Sequence, residues 1–277
     1  MQCARPFEVK KKFYPYPVRV ACGQCMPCRV NRTREWTFRL LAELPYHDGS
    51  SYISWTYDEE HLPCGGGLVK KHIQDAFKRL RKPLTKKIKY FTTGEYGEDS
   101  NRAHYHSIVF GLSHRDIRDN DIFGVQIVRK GSESIYQGGS VWPMGGVHVG
   151  TVTSDSIFYV TGYIRKKLNG KKGKEFYGNR TPPFQLQSLG LGLRWAEDNL
   201  EYLQQNLHVT MKGSKLGMPR YFKKKFWFDE RRMMDLASEA EIEFLKECDE
   251  RGVSPEAIRY QREKNYEARL AMKKNKL

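Results

Sequence analysis

The sequence has no hydrophobic run long enough to cross a membrane, because no stretch approaches 18 consecutive apolar residues. Its first residues, MQCARP, lack the apolar core of a secretion signal, so we expect the protein to stay where it is made. A P-loop is also missing, since the glycines at 65–67 are not followed by Gly-Lys-Ser/Thr. We therefore expect neither a membrane function nor a P-loop nucleotide site, and no internal repeat is evident.

Acidic residues are few relative to basic ones, with 32 Asp and Glu against 48 Lys and Arg, for a net charge of +16. The imbalance is uneven, because residues 229–277 contain 11 basic and 12 acidic residues and residues 1–228 therefore carry +17. An excess of this size favours a polyanionic partner. The 16 tyrosines and five tryptophans supply rings on which unpaired bases can stack. Nucleic acid is the expected partner.

Cysteine is also scarce, yet three of the six cysteines recur at two-residue gaps near the N-terminus. In a chain without a secretion signal this spacing favours metal ligands over disulfides. A structural zinc site needs four ligands, and one more cysteine lies upstream, with His61 and Cys64 as fallback ligands. An iron–sulfur cluster and reduced free thiols remain alternative interpretations. The predicted zinc ligands are Cys3, Cys22, Cys25 and Cys28.

A pair of histidines lies in Ala103–Phe110, a run rich in β-forming residues that predicts a strand. Residues two apart on a strand point to the same face, so His104 and His106 can reach one ion. The run Lys89–Thr93 predicts a partner strand, and the resulting hairpin would bring Glu95 beside both imidazoles. Mixed nitrogen and oxygen ligation suits Mn²⁺ or Mg²⁺ better than a closed zinc site. The alternative is two partly exposed histidines without a ligand.

A helix is predicted through Ile157–Leu168, with Ser154 or Asp155 as its N-cap. Its apolar residues form one stripe, and two tyrosines one turn apart form a second stripe with a lysine. A tyrosine oxygen is a nucleophile when its proton is removed or its target is polarised. The alternative is that the rings pack at the edge of a core. The candidate catalytic residues are Tyr159, Tyr163 and Lys166.

Flanking patterns complete the predicted architecture. We expect helices over Arg29–Leu44, Val69–Lys82 and Trp195–Leu207, strands over Ser51–Tyr57 and Val147–Val152, loops over 112–140 and 169–174, and a charged helix or helical pair over Glu239–Lys276. This order lacks the strict strand–helix alternation of a doubly wound fold, so it predicts an α+β domain with an antiparallel sheet of four or five strands. The predicted divisions are a Cys-rich element with a helix at 1–45, the main domain at 46–228 and a charged helical tail at 229–277.

The order of a hydrophobic strand (Tyr52–Tyr57), His104-Tyr-His106 and Tyr163-Ile-Arg-Lys166 resembles the HUH endonucleases of rolling-circle replication. The extra tyrosine at 159 is similar to their two-tyrosine class. Over about residues 1–225 the chain more narrowly resembles replication initiators of microviruses, in their gokushovirus branch. The motifs that carry this likeness are the twin tyrosines, Cys22-Gly-Gln-Cys25-Met-Pro-Cys28, Trp36-Thr-Phe-Arg39-Leu and Glu95-Tyr-Gly97. The segment Ser188–Gly192 departs from the family, where a more basic, proline-containing stretch is expected.

The resemblance implies a ferredoxin-like or RRM-like HUH sheet at 46–228, with the helices on one side and the tyrosine helix laid against it. It implies an endonuclease that nicks origin DNA of a circular single-stranded-DNA phage, leaving a 5′-phosphotyrosine and a free 3′-hydroxyl, and later rejoins the displaced strand. Glu95, His104 and His106 would hold Mg²⁺ or Mn²⁺. The implied partners are single-stranded or locally melted origin DNA and the host helicase and polymerase, in the bacterial cytoplasm.

Two alternatives remain from the sequence. A zinc-bearing nucleic-acid-binding protein without catalysis accounts for the charge and the cysteines, but it does not account for the histidines, carboxylate and tyrosine pair occurring together. A transposase or relaxase of the same superfamily is the second alternative. Relaxases usually carry a third histidine and a tyrosine near the N-terminus, which argues against that class here.

Overall fold

The computed structural model describes residues 2–10, 17–98, 100–119, 122–130, 133–168 and 170–274. The chain divides into two compact units. One, here called the split unit, consists of Met1–Glu35 and Asn199–Leu277; the other, the sheet unit, is Trp36–Asp198. None of the helices in the described ranges is long and apolar enough to span a bilayer. The two units are described separately below.

Eleven strands occur in the described residues. They are β1 (Phe7–Val9), β2 (Val18–Val20), β3 (Ser50–Thr56), β4 (Lys89–Tyr96), β5 (Ala103–Phe110), β6 (Gly124–Lys130), β7 (Glu133–Gly138), β8 (Gly146–Thr151), β9 (Phe184–Gln187), β10 (His208–Met211) and β11 (Ser214–Gly217). Seven of them form the antiparallel sheet of the sheet unit, in the order β6-β7-β8-β3-β5-β4-β9. In the split unit, β1 pairs with β2 and β10 pairs with β11.

The helices alternate with these strands without a regular rule. They are α1 (Met26–Glu43), α2 (Lys70–Arg81), α3 (His114–Asp119), α4 (Ser154–Lys166), α5 (Gly170–Tyr177), α6 (Leu193–Asp198), α7 (Leu200–Asn206), α8 (Arg220–Lys225), α9 (Glu230–Glu250) and α10 (Pro255–Lys274). The predicted α+β class with an antiparallel sheet is confirmed, and so is the C-terminal helical pair. The ferredoxin-like identity of the sheet and the predicted domain boundaries stay predictions.

The large sheet is covered by helices on both faces, so the prediction of helices on one side is wrong. On one face, α2 covers the sheet; the buried residues there include Ile53, Trp55, Tyr105, Val109, Ile73, Phe77 and Leu80. On the other face lie α1 and α4; the buried residues there include Phe91, Ile108, Phe110, Trp36, Leu40, Ile157 and Val160. The reason is visible in β5, whose odd- and even-numbered positions both carry large apolar side chains, so neither face can be left to water.

The sheet has more strands than predicted because the segment 112–140 is not a long loop. It contains α3 and the antiparallel hairpin β6–β7, and β7 pairs with β8 at one end of the sheet. Positions 120–121 and 131–132 lie outside the described residues. Three apolar side chains of β6 are exposed, namely Val125, Ile127 and Val128. Without a buried face, the strand lacks the alternating pattern that a sequence reading depends on.

Two further segments differ from the predictions. The glycine-lysine run at 169–174 is helical rather than the predicted loop, since α5 begins at Gly170, with position 169 outside the described residues. Glycine lowers helix propensity without forbidding a helix, and the Tyr177 hydroxyl at the end of α5 accepts a hydrogen bond from the Leu168 amide. The helix predicted over Trp195–Leu207 is divided into α6 and α7.

A buried carboxylate joins three segments of the sheet unit. One oxygen of Glu43, at the end of α1, accepts hydrogen bonds from His47 Nε2 and Lys89 Nζ, each at 2.7 Å. Its other oxygen accepts from the Gly192 amide at 2.7 Å, and the side chain is only 2% exposed. Burial opposes ionisation of Glu43, but His47 and Lys89 outweigh it and hold its pKa below the ordinary 4.5.

Replacement of Glu43 by alanine is therefore expected to lower the free energy of unfolding by about 3 kcal/mol or more, because it leaves buried donors without an acceptor. Urea denaturation at pH 7 measures this. Asp75→Ala, which removes a surface pair with Lys71, is the control and should leave the denaturation midpoint close to that of the wild type.

The pH dependence of the Glu43 effect has a definite sign. Because the folded pKa lies below the unfolded one, the stabilisation is present above about pH 4.5 and is lost as the pH falls through the folded value. The stability gap between the wild type and Glu43→Gln should thus narrow in acid. A gap that widened on acidification would contradict the ionised, paired state of Glu43.

Candidate active site

The predicted metal residues lie together at one end of the β4–β5 hairpin. Antiparallel pairing sets Glu95 directly opposite His104, and Thr93 opposite His106. His104 and His106 share one face of β5, the face that also carries Ile108 and Phe110 against α1 and α4. The strand register alone therefore brings the carboxylate and both imidazoles to one point, although Glu95 precedes the histidines by a full hairpin.

These three side chains fit a divalent cation. Oε1 of Glu95 lies 2.8 Å from His104 Nε2 and 3.2 Å from His106 Nε2, and the three candidate ligand atoms are all within 4.8 Å of one another. His104 Nδ1 lies 3.0 Å from the Arg102 carbonyl, to which it can only donate, so its Nε2 is the nitrogen with a free lone pair. Two imidazoles and one carboxylate leave positions for substrate oxygens and match the preferences of Mn²⁺ or Mg²⁺.

Two hydroxyl groups hold His106 from behind, and sequence reasoning missed both. His106 Nδ1 lies 2.8 Å from Tyr52 Oη and 2.8 Å from Ser54 Oγ, and the two hydroxyl oxygens are 2.7 Å apart. A hydroxyl can donate or accept, so this pair satisfies Nδ1 in either tautomer and leaves Nε2 facing Glu95. Such outer contacts orient a ligand imidazole. The available signal was parity, since residues 52 and 54 share one face of a strand, but pairing of Ser54 with His106 was not predictable.

Helix α4 brings the two tyrosines over this hairpin. Its N-cap is Thr153, not Ser154 or Asp155 as predicted. Thr153 Oγ1 accepts from the Ser156 amide, and Ser156 Oγ accepts from the Thr153 amide, so the two residues form a capping box. Thr153 takes this position because its backbone is extended while the next residue is already helical.

The two phenol rings flank the imidazole of His106. The Tyr163 ring stacks on it with centroids 5.1 Å apart and planes 5° apart, while the Tyr159 ring meets it edge-on at 5.3 Å. The two tyrosine rings are 5.0 Å apart. They differ in accessibility, because Tyr159 is 50% exposed whereas Tyr163 is only 6% exposed. The tyrosine stripe is therefore half solvent-facing and half buried, which a helical wheel does not distinguish.

Lys166 lies over Tyr163. Its Nζ is 4.5 Å from the ring centroid of Tyr163 and 2.6 Å from Oε1 of Glu98. The first contact is a cation–π interaction, and the second holds the ammonium at the mouth of the β4–β5 hairpin. In this arrangement the lysine charge is close to the buried phenol ring and to the three metal candidates, but it faces a carboxylate before any substrate is present.

The charges at the site influence one another. Burial opposes ionisation of Glu95, but its contacts with His104 and His106 outweigh burial and lower its pKa. For His104 burial is likewise outweighed, by Glu95 and the Arg102 carbonyl, and its pKa is raised. Burial dominates at His106 and lowers its pKa. Burial first and the Glu95 charge second raise the pKa of Tyr163. A bound cation would offset both effects at that phenol.

The four predicted zinc ligands also lie together, in the split unit. The sulfur atoms of Cys3, Cys22, Cys25 and Cys28 are all within 4.8 Å of one another. Backbone amides point at them, from Cys22 to the Cys3 sulfur and from Cys25 to the Cys22 sulfur, each at 3.3 Å. Burial opposes ionisation of Cys22, but the amides of Cys25 and Gln24 outweigh it and lower its pKa to about 7. Four sulfurs with amide donors fit a tetrahedral thiolate site.

A glutamate far along the chain completes this cluster. Oε1 of Glu263, on α10, accepts a hydrogen bond of 2.9 Å from the Met26 amide, the first residue of α1. The carboxylate is buried and satisfies an amide that has no partner within its own helix. No sequence signal marks this contact, because its two partners are 237 residues apart.

We expect the purified protein to contain about one zinc ion per chain, bound by the four cysteines, and Cys28→Ser to lose both the zinc and much of the stability. Elemental analysis and thermal unfolding measure the two effects. Cys64→Ser is the control, because Cys64 is exposed and outside the cluster. Iron in place of zinc would indicate a cluster, and metal-free protein of full stability would leave the thiols free.

Comparison with known proteins places this site in a family. Residues 50–168, which contain Glu95, both histidines and both tyrosines, match a family model described as Replication-associated protein ORF2. The cysteine cluster and the segment from Asn199 onward lie outside the matched region. No solved structure matches the chain.

Similar proteins come from small phages. The chain is 30% identical over 231 residues to Replication-associated protein ORF4 of Chlamydia phage 1, covering 78% of this chain and 54% of that protein. It is 30% identical to VP4 of Bdellovibrio phage phiMH2K, covering 73% and 65%, and 29% identical to ORF2 of Spiroplasma virus 4, covering 82% and 72%. The match thus spans little more than half the length of the first relative. Residues 50–168 belong to the replication-associated protein ORF2 family, and the resemblance to microvirus replication proteins is confirmed.

Proposed function

We propose that the protein initiates replication of a circular single-stranded-DNA phage genome by nicking origin DNA through an HUH-type, tyrosine-dependent transesterification. The observation that carries this proposal is the meeting of Glu95, His104 and His106 with two phenol rings around one imidazole. Relatives named as replication-associated proteins support it. An α+β domain of this kind with a net positive charge suits a DNA substrate.

The chemistry is an exchange of one phosphodiester for another. A tyrosine Oη attacks the phosphorus of the scissile linkage, the new O–P bond forms and the bond to the 3′-oxygen breaks. The phenolic proton is transferred in net terms to the departing 3′-oxygen, so the products are a 5′-phosphotyrosine and a free 3′-hydroxyl. A divalent ion held by Glu95, His104 and His106 would supply charge to polarise the phosphate. The reverse attack by a 3′-hydroxyl rejoins the strand.

The remaining residues of the site bind and orient. Tyr52 and Ser54 fix the ring of His106, so its Nε2 stays directed at Glu95. The ammonium of Lys166 can exchange Glu98 for a phosphate oxygen, because its pair with Glu98 is half exposed. The target strand must be unpaired or melted, because a tyrosine on a helix cannot reach into stacked duplex DNA. In a host bacterial cytoplasm, the free 3′-hydroxyl would serve host polymerase.

A decisive experiment mixes the protein with a 5′- or 3′-labelled single-stranded origin oligonucleotide and Mn²⁺, followed by a denaturing gel. We expect a covalent adduct with the 3′-labelled, downstream fragment and release of the 5′-labelled fragment. The competing function is a zinc-bearing binder without catalysis, which the cysteine cluster favours. That function predicts a gel shift under native conditions and no adduct at any metal concentration.

A further inference from the structure

The segment from Asn199 to Phe228 forms a small element of the split unit that the proposed catalytic site does not use. It consists of α7, the antiparallel hairpin β10–β11 and α8, followed by Trp227. The apolar side chains of this segment are turned inward; the buried ones include Leu203, Leu207, Val209, Met218, Phe222 and Phe228. Its outward face is therefore defined by the residues that remain.

Those residues are strongly basic. Residues 199–228 contain six lysines and arginines and a single acidic residue, Glu201. Lys215 on β11 and the residues Arg220, Lys224 and Lys225 of α8 are exposed, and within the described ranges no carboxylate forms an ion pair with these four. The cations of the α9–α10 pair differ, because they face carboxylates of the same hairpin: Arg251 and Arg262 contact Glu247, and Lys264 contacts Glu267.

Two aromatic rings accompany the four cations. Trp227 is 75% exposed, the largest apolar ring so exposed in the described chain, and its carbonyl accepts a hydrogen bond from Gln204 of α7. Tyr202, also on α7, is exposed, and its hydroxyl lies 3.4 Å from Thr210 Oγ1 of β10. These contacts hold both rings to the rigid elements of the segment. An exposed tryptophan costs solvation free energy that a stacking partner would recover.

We propose that this surface, defined by Lys215, Arg220, Lys224, Lys225, Tyr202 and Trp227 and here called the basic platform, binds the backbone and bases of single-stranded DNA, separately from the tyrosine site. Unpaired cations supply phosphate contacts, and an exposed ring supplies a face for an unpaired base. The charge balance alone would also suit an acidic protein partner, but protein recognition does not require a flat exposed tryptophan among lysines. The inference rests on the proposed function only in taking DNA as the substrate.

The test measures binding of a labelled oligothymidylate by fluorescence anisotropy at several salt concentrations, using the full chain without added divalent ion. Each phosphate contact on a single strand contributes about 0.7 to the slope of log affinity against log salt. The triple variant Lys215→Ala, Lys224→Ala, Lys225→Ala should lower that slope by about 2 and weaken binding roughly 100-fold at 0.1 M salt. The matched control, Lys246→Ala, Arg251→Ala, Lys264→Ala on α9 and α10, removes the same charge and should keep the wild-type slope.

A second variant tests the stacking contact. Trp227→Ala should weaken binding about 5- to 100-fold with an unchanged salt slope, and Trp227→Phe should restore most of the loss because phenylalanine also stacks. An unchanged slope in the lysine triple, an equal loss in its control, or tighter binding of duplex than of single-stranded DNA overturns the basic platform. If the platform variants lose binding while the wild type never forms a covalent adduct, the platform stands and the proposed function fails.

Discussion

The double variant Tyr159→Phe, Tyr163→Phe is expected to form no covalent adduct with an origin oligonucleotide, because it removes both phenol oxygens beside His106 and leaves both rings in place. Binding of the oligonucleotide should be unchanged, since phenylalanine preserves the packing. The adduct is measured on a denaturing gel after incubation with Mn²⁺. An adduct formed by the double variant would place the nucleophile elsewhere in the chain.

The single variants separate the two tyrosines. Initiation and release require two successive transesterifications, and two phenols one helical turn apart can take them in turn without a second subunit. Each single variant should therefore still form an adduct, while repeated turnover fails in both. The half-exposed Tyr159 should react faster in the first step than the buried Tyr163. If peptide mapping finds every adduct on one tyrosine and the other variant replicates normally, alternation is excluded and the second ring serves only packing.

Removal of a metal candidate should be equally severe. We expect His106→Ala, His104→Ala and Glu95→Ala each to reduce cleavage below detection, because the charge at the scissile phosphate depends on all three. DNA affinity should change little, because phosphate contacts are distributed over a surface that carries +17. Mn²⁺ binding, measured by electron paramagnetic resonance or calorimetry without DNA, gives a readout independent of activity.

The chain offers a matched control for the metal variants. His148 of β8 lies opposite Ser54, which in turn lies opposite His106, so both histidines occupy one row of the sheet. His148 contacts Glu133, at 3.4 Å, and is not among the clustered ligands. His148→Ala should keep the wild-type Mn²⁺ affinity, whereas Tyr52→Phe should weaken it about 10-fold through the loosened His106 ring. Nicking at the wild-type rate by His106→Ala with metal added would refute the ligand assignment.

Local patterns predicted those parts of the site that lie within one hairpin or one helix. The period of two in Ala103–Phe110 and the adjacent partner strand were sufficient to bring Glu95 to His104, and the helical spacing was sufficient to align Tyr159 with Tyr163. Their assembly around His106 depended on the resemblance to a family, because nothing in the spacing states that α4 lies on that hairpin. The chemical roles of these residues stay predictions.

The missed features depend on contacts between distant segments. Tyr52 reaches His106 across 54 positions, and Glu43 reaches the Gly192 amide across 149. The β6–β7 hairpin was missed for a different reason, since the exposed valines and isoleucine of β6 have no buried face and match no strand pattern. Helices on both faces of the sheet were missed because β5 reads as one apolar run, which does not reveal how many layers cover it.

The split unit has a consequence for the order in which the protein is made. Met26 and the carboxylate of Glu263 that receives its amide hydrogen bond are 237 residues apart, and the sheet unit is synthesised between them. At about 5–20 residues per second, roughly 10–50 s of translation separate the two. The sheet unit is continuous in sequence and can fold on the ribosome. The cysteine cluster must wait with its thiols uncovered, so its metal loading competes during that interval with oxidation and with chaperones.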